Sequence, residues 1–508
     1  MNNKMFYMKT TAFTTEHPVK NSELSEKEIK VIEGIIKEQM KVAKFPGVAV
    51  TIIKDNTQVY NKGFGYSDKS KKIPVNTKTL FEIGSTSKAF TGLVILLLQE
   101  QRLIDLKDNV KKYLPWFKMY YEGKEVNITI EELLYQTSGI PFNTLGYIPE
   151  GNEKDKLEKT VETLVGKELQ SIPGEKFSYA TINYDVLGLI IEKISGQSFE
   201  NYVKVNILHK IGLTNTYLSR EEAERHNMSL GYKLSFLRTI EYNAPIYRGN
   251  LPAGYFITNI DDVSRWLKIQ VNPESMSYPY KSIIEKSHIP NRTVMPNTNG
   301  SSYATGWYVF RKGTGELSHG GSNPNYSSYF VFKPNEKLAV GVLANLNSTY
   351  IQNIGQGIID ALDGSKTTKI SSDIYKSVDT IAFAIMCISI PFTSLTLFFM
   401  FTAIVEIINN KRNLPENVKK YFCSILIILA FTGLLIFSIY KLLPSIAFNN
   451  LPWNSVLVWA PSSFKYAIIS SVVTIILFII FIMITFVFPK VNNKYFFIVF
   501  YNNIVNFI

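Results

Sequence analysis

Cysteine is almost missing from this 508-residue chain: there are two, Cys387 and Cys423, both inside long apolar stretches toward the C-terminal end. The polar part of the chain therefore has no disulfide to hold it, and its fold must come from a buried core. Histidine is scarce too, at five residues. None of His17, His209, His226, His288 and His319 stands in an H-x-x-H or H-E-x-x-H spacing, so neither a metal centre nor a cofactor is expected. Gly63 and Gly65 are not followed by the Gly-Lys of a phosphate loop and read as hairpin glycines. Repeats and low-complexity tracts are lacking. So is a concentrated basic stripe: the net charge of +12 divides as +7 over residues 1–370 and +5 over 371–508, where 9 basic side chains oppose 4 acidic ones. Charge spread this way argues against a nucleic-acid partner and suits an anionic wall environment.

What is present begins with Ser85-Thr86-Ser87-Lys88, where Leu80-Phe81-Glu82-Ile83-Gly84 gives way to Ala89-Phe90-Thr91-Gly92 and the apolar run Leu93–Leu98. That run is too apolar for a surface helix. A serine at a helix start and a lysine three residues on share one helical face. Burial would desolvate the ammonium and lower its pKa, leaving a neutral amine able to take the serine proton. The spacing alone is weak, for Ser462-Ser463-Phe464-Lys465 repeats it beside a lipid-like segment. Two further elements follow Ser85 in order: Phe177-Ser178-Tyr179-Ala180-Thr181-Ile182-Asn183-Tyr184 ahead of an apolar helix from Asp185 to Ser195, and Leu317-Ser318-His319-Gly320-Gly321-Ser322 at the end of an extended run.

Serine-lysine, then a tyrosine motif, then a His-Gly-Gly strand resembles the serine β-lactamase and penicillin-binding-protein superfamily, in its class C-like branch. Pro46-Gly47-Val48-Ala49-Val50, Gln136-Thr137-Ser138-Gly139-Ile140-Pro141, Pro252-Ala253-Gly254 and Gly306-Trp307-Tyr308 support this, over roughly residues 25 to 363. The resemblance implies an acyl-enzyme mechanism. Ser85 is then the nucleophile, Lys88 its proton acceptor or electrostatic partner, and Tyr179 the proton shuttle to the leaving group that later helps activate the deacylating water. Lys88 must outweigh burial if Tyr179 is to act as a phenolate base. His319 takes the place of the lysine of a Lys-Thr-Gly triplet, Gly320 and Gly321 leave room for substrate backbone at the strand edge, and the N–H groups of Ser85 and Ser322 form the oxyanion hole.

Two departures bear on substrate. The tyrosine motif usually reads Tyr-x-Asn, and here Thr181 offers one short hydroxyl where an amide would offer two donors and a carbonyl. His319 in place of lysine removes a permanent cation. Both favour a peptidase or esterase acting on D-amino-acid-containing wall peptides or esters over an efficient β-lactamase, with β-lactams as further ligands. A competing reading is a binding or sensor protein that kept the pocket and lost turnover.

Residues 380–405, 421–440 and 466–489 carry no charge and are long enough to cross a bilayer, so three transmembrane helices and contact with membrane lipid are expected. Pro391 would kink the first. A transporter is disfavoured because no charge lies within these spans. The first loop holds Lys411, Arg412, Lys419 and Lys420, and the tail holds Lys490 and Lys494, whereas the loop between the second and third spans has only flanking Lys441 and Lys465, with Trp453 and Trp459 suited to the interface. The positive-inside tendency then places the first loop and tail in the cytoplasm and residues 1–370 outside, at the cell membrane. Export would need a leader, and residues 1–21 break off before any apolar stretch forms, which reads as a defective or mis-started leader. The apolar run 495–508 is too short to cross and is expected along the interface.

The expected fold of residues 22–363 is α/β: an antiparallel sheet flanked by helices, plus a mainly helical subdomain from about 90 to 290. Ser25-Glu26-Lys27-Glu28 is a capping box opening a helix with Ile29, Ile32, Ile36, Met40 and Ala43 on one face. Val48–Lys54 and Val59–Gly65 read as a hairpin about Asp55-Asn56, with later strands near 306–312, 315–320, 326–333 and 337–346 and a closing helix near 349–363. Residues 364–379 read as a polar linker to the transmembrane region 380–508.

Overall fold

The computed structural model describes residues 23–310, 315–366, 369–414 and 419–491. The leader-like segment 1–21 and the apolar run 495–508 lie outside these residues.

The chain opens with helix α1 (Glu26–Ala43), whose capping box forms as its sequence requires: Ser25 accepts from the Glu28 N–H while Glu28 returns to the Ser25 backbone. Strands β1 (Gly47–Lys54) and β2 (Thr57–Asp68) follow, joined by Asp55 and Asn56 at φ 50° and 65°, the paired positive φ of a tight hairpin turn. The main sheet adds β3 (Ile73–Pro74) and, from far along the chain, β4 (Ser301–Tyr303), β5 (Tyr308–Phe310), β6 (Leu317–Asn323), β7 (Tyr326–Lys333) and β8 (Leu338–Ala344). Its order is β4-β5-β6-β7-β8-β1-β2-β3, and the pairings are antiparallel throughout. This is the expected α/β architecture.

Strand periodicity splits the core in two. Val48, Val50, Ile52, Val340 and Val342 face Ile32 and Ile36 of α1 and Ile351, Ile354 and Ile358 of helix α5 (Ile351–Asp363). Ala49, Ile53, Phe330, Phe332 and Leu343 face the helical half, which includes α2 (Lys88–Glu100), α3 (Asn183–Ser195) and α4 (Ile260–Val271). From Lys88 to Leu98, α2 is buried all round, as its composition demands. Of the strand expected near 306–312, Tyr308–Phe310 is strand and Gly306 and Trp307 are not, with 311 and 312 outside the described residues. Gly306 turns at φ 77° against the start of α2, where a Cβ would lie 2.5 Å from the Ala89 backbone. The helical half also contains small hairpins, among them Tyr232–Ser235 with Arg238–Glu241.

Among the described residues, three helices are long and apolar enough to cross a membrane: α6 (Ile374–Ile408), α7 (Lys419–Ala447) and α8 (Ser462–Val487). Two hydroxyl pairs join α6 to α8, Ser389 with Ser470 at 3.0 Å and Thr393 with Thr474 at 2.7 Å. Helix α6 starts earlier than its charge-free stretch because Asp373 caps it. The Asp373 carboxylate accepts from the Lys376 N–H at 2.8 Å and also from the Thr349 N–H and the Ser348 hydroxyl of the α/β domain. One turn on, buried Asp379 accepts from Ser463 of α8 and from the Leu237 N–H at the tip of the 232–241 hairpin. Phe236 at that tip meets Phe383 and Tyr466. The segment expected as a tether is thus fastened to the domain by hydrogen bonds at its end.

Candidate active site

Strand pair Phe81–Glu82 and Ile257–Thr258 delivers the chain to Gly84. Gly84 has φ 54°, and a Cβ there would lie 2.4 Å from the Ser322 nitrogen, so only glycine lets this turn abut β6. Residues Gly84–Ser87 form one 3-10 turn ahead of α2. Two hydroxyls of the tetrad lock that turn: Thr86 donates to the Ile83 carbonyl and Ser87 to the Gly84 carbonyl, each at 2.7 Å. The third, on Ser85, faces a cavity.

Lys88 lies behind that cavity, fully buried, with Nζ 3.1 Å from Ser85 Oγ and 2.8 Å from the Ala253 carbonyl. Burial lowers its pKa to about 7, against the opposing charge of Asp185. The amine is therefore substantially neutral near pH 7. It can accept the Ser85 proton while donating to Ala253.

The Tyr179 ring centre is 5.2 Å from Lys88 Nζ, and the Ser85 side chain is near enough to lower the pKa of its hydroxyl. Burial pushes its pKa above the ordinary tyrosine value; Ser85 opposes this and the Asp185 charge adds to it. The condition for a phenolate base, that Lys88 outweigh burial at Tyr179, is not met. The phenol is neutral at rest, suited to relaying a proton rather than to seizing one as phenolate.

The tyrosine loop is held by the 136–141 segment. Gln136 accepts from the Ala180 N–H at 2.9 Å and from the Asn183 amide at 2.6 Å, and Ser138 donates to Asn183 at 2.8 Å. Asn183 is thereby occupied and does not stand in for the amide missing at Thr181, which is buried on the cavity wall.

His319 sits in β6, buried, with Nδ1 2.7 Å from the Gly320 carbonyl and Nε2 3.1 Å from the Tyr303 hydroxyl. The first contact requires Nδ1 to donate, leaving Nε2 to accept. Burial and the Lys88 charge lower its pKa to about 3, against the backbone bond, so the ring is neutral. Strand β5 pairs with β6 only at Tyr308–Ser318 and Val309–Leu317, so among the described residues the β6 edge from His319 onward has no strand neighbour. The glycines there differ from expectation. A Cβ on Gly321 would lie 1.9 Å from the Ile83 carbonyl, so its smallness serves packing against the serine turn; a Cβ on Gly320 would lie 3.3 Å from the end of the Gln352 side chain, which would have to yield slightly.

Ser85, Tyr179, Thr181, His319, Gly320, Gly321 and Ser322 line a single cavity of about 460 Å³, and Lys88 lies just beneath it. Sequence reasoning missed two contributors. Asp185, buried at the start of α3, raises the pKa of Lys88 and Tyr179 when ionised, although burial pushes its own pKa well above the usual carboxylate value; with the Asn250 amide nitrogen turned toward it, its oxygens lie 3.2 and 3.0 Å away. A lone acid in an apolar helix was the available signal. The other is the outer wall, built by Ile374, Tyr375 and Val378 of α6 and by Phe448, Leu451 and Trp459 from the connection between α7 and α8.

The Beta-lactamase family profile matches residues 32–354. "Protein flp" of Staphylococcus aureus (strain N315) is 30% identical over 448 residues, covering 87% of this chain and 88% of that protein. "Protein flp" of strain NCTC 8325 / PS 47 is also 30% identical, over 452 residues, with the same coverage. Among solved structures, the octameric penicillin-binding protein homologue from Pyrococcus abyssi superposes with a TM-score of 0.58 at 28% identity, covering 70% of this chain and 81% of that one.

Proposed function

Because the chain belongs to the Beta-lactamase family, we propose that it is a membrane-anchored serine hydrolase forming an acyl-enzyme on Ser85. The observation that carries this reading is the buried Lys88 amine, its pKa lowered to about 7, 3.1 Å from Ser85 Oγ. Ser85 Oγ attacks the substrate carbonyl as its proton passes to Lys88. The backbone N–H groups of Ser85 and Ser322 stabilise the oxyanion, a contribution of about 100- to 1,000-fold per donor. Collapse of the tetrahedral intermediate breaks the bond to the leaving amine or alcohol, which takes its proton through Tyr179. Water, deprotonated along the same Tyr179–Lys88 path, then cleaves the acyl ester and returns the proton to Ser85.

The substrates proposed are D-amino-acid-containing peptides or esters of the cell envelope. Thr181 and a neutral His319 support this over efficient β-lactam turnover, because a single hydroxyl replaces the amide of the tyrosine motif and a neutral ring replaces the strand's cation. The domain is placed on the outer face. Its contacts lie with the Lys441–Lys465 connection, whereas Glu406, Arg412 and Lys490 cluster at the opposite helix ends, where the positive-inside tendency expects cytoplasm.

A second reading, a sensor that is acylated and deacylates slowly, is favoured by the membrane helices forming part of the cavity wall. Incubation with a fluorescent penicillin followed by intact-mass measurement tests both. A covalent adduct lost in Ser85→Ala, together with turnover of a D-amino-acid ester, supports the hydrolase; an adduct without ester turnover supports the sensor. Absence of any adduct, together with no ester turnover, defeats the acyl-enzyme reading.

A further inference from the structure

The outer wall of the cavity is made by the membrane part of the chain. Ile374 and Val378 precede the charge-free stretch starting at Thr380 by six and two residues. At 1.5 Å per residue that is about 9 and 3 Å along the helix, and the headgroup layer of a bilayer leaflet is about 5–7 Å deep. The wall thus crosses the headgroup layer, with Val378 within it and Ile374 just past its outer edge.

The connection between α7 and α8 completes the wall and is firmly seated. Leu451, Val456 and Ala460 form a small core with Leu145 of the hydrolase domain, Ser455 donates to the Gly146 carbonyl at 3.1 Å, and a Cβ on Gly146 would strike Pro452 at 2.2 Å. Trp453, at the head of the short helix Trp453–Trp459, stacks on Tyr440 of α7 and donates to its carbonyl at 2.9 Å. Such tryptophans favour the bilayer interface. The cavity is therefore two-sided: Ser85, Tyr179 and Ser322 at the polar floor, and Phe448, Leu451, Trp459, Ile374 and Val378 toward the bilayer.

Resting on the proposed hydrolase activity, we infer that the substrate is itself membrane-anchored: an amphiphile whose ester or amide enters from the leaflet surface while its acyl chains stay in the bilayer. A wall polymer approaching from the aqueous side gains nothing from an apolar wall at this depth. An anchored substrate gains binding energy along the wall, distant from the reacting bond, and concentration in two dimensions.

The test uses the full chain in phosphatidylcholine–phosphatidylglycerol vesicles, with two fluorogenic probes sharing one reacting ester: a coumarin acetate coupled to phosphatidylethanolamine, and the same coumarin acetate without acyl chains. The anchored probe is expected to be cleaved with kcat/KM about tenfold or more above the free probe. That preference is expected to fall about fivefold or more in the Phe448→Ala, Trp459→Ala double variant and to return in Trp459→Phe. Equal turnover of the two probes, or a preference untouched by the wall variants, overturns the inference while leaving the hydrolase reading intact. Failure to cleave either probe, with no labelling of Ser85 by a fluorophosphonate, overturns both.

Discussion

The Lys88 amine faces Ser85 Oγ while a second contact, 2.8 Å to the Ala253 carbonyl, fixes its position. A carbonyl can only accept, so this contact uses one Nζ–H and leaves the nitrogen lone pair free for the serine. Arginine cannot reproduce this, being always protonated. Lys88→Arg is expected to lower the acylation rate by about 100- to 10,000-fold, read by stopped-flow labelling with a fluorescent penicillin. A loss below tenfold would show that the amine is not the proton acceptor.

Acylation should rise with pH through about 7 as Lys88 loses its proton. Asp185 holds that pKa up, so Asp185→Asn should move the rising limb toward acid pH. Stability follows the same group. Its folded pKa lies below the free-lysine value, so between about 7 and about 10 the unfolded chain holds the extra proton, and the folded form gains stability as pH rises through that window. A pH–rate profile flat from 5 to 9 would contradict this, while denaturant midpoints at the two ends of the window check the stability sign.

The two glycines of β6 should respond differently. Gly321→Ala forces a methyl into the Ile83 carbonyl and should cost about 1–3 kcal/mol together with most acylation, because the serine turn must move. Gly320→Ala meets only the end of the Gln352 side chain and should be tolerated. Thermal melts and labelling of the two variants side by side decide the matter.

Thr181→Asn supplies the missing amide. Acylation by β-lactams should increase, by about tenfold if the new donors pair with substrate. Unchanged acylation would mean that Thr181 does not limit β-lactam recognition.

Asp379 joins α6 to Ser463 of α8 and to the Leu237 N–H. Asp379→Ala leaves buried donors unpaired at a cost of about 1–3 kcal/mol and should loosen the hydrolase domain on its membrane base. Faster proteolysis at the 364–372 connection in vesicles would register this.

Much of this was legible before any coordinates. The β1–β2 turn announces itself through Asp55-Asn56, residues that accept positive φ, and the membrane helices through uninterrupted apolarity. The serine, lysine and tyrosine sit in local motifs, so order along the chain sufficed to propose them together. What stayed hidden depends on contact between distant segments. The 232–241 hairpin turns on Phe236 and Leu237 at φ 51° and 60°, where turn chemistry asks for glycine or asparagine, and no local signal marks it. Its reason appears only when both residues are seen against α6. The neutral state of Tyr179 was illegible for the same kind of reason, because burial is set by the whole fold.

The Asp373 carboxylate, shared between the Ser348–Thr349 loop and the first turn of α6, has a practical corollary for how this molecule is handled. A fragment cut ahead of it would keep the serine, the amine and the phenol, yet would lose the apolar wall of the cleft and leave a shallower trough. Kinetics on such a fragment would report the bond-breaking chemistry faithfully and misjudge the choice of substrate. Inhibitors selected against it would be fitted to a shape that the intact molecule does not present.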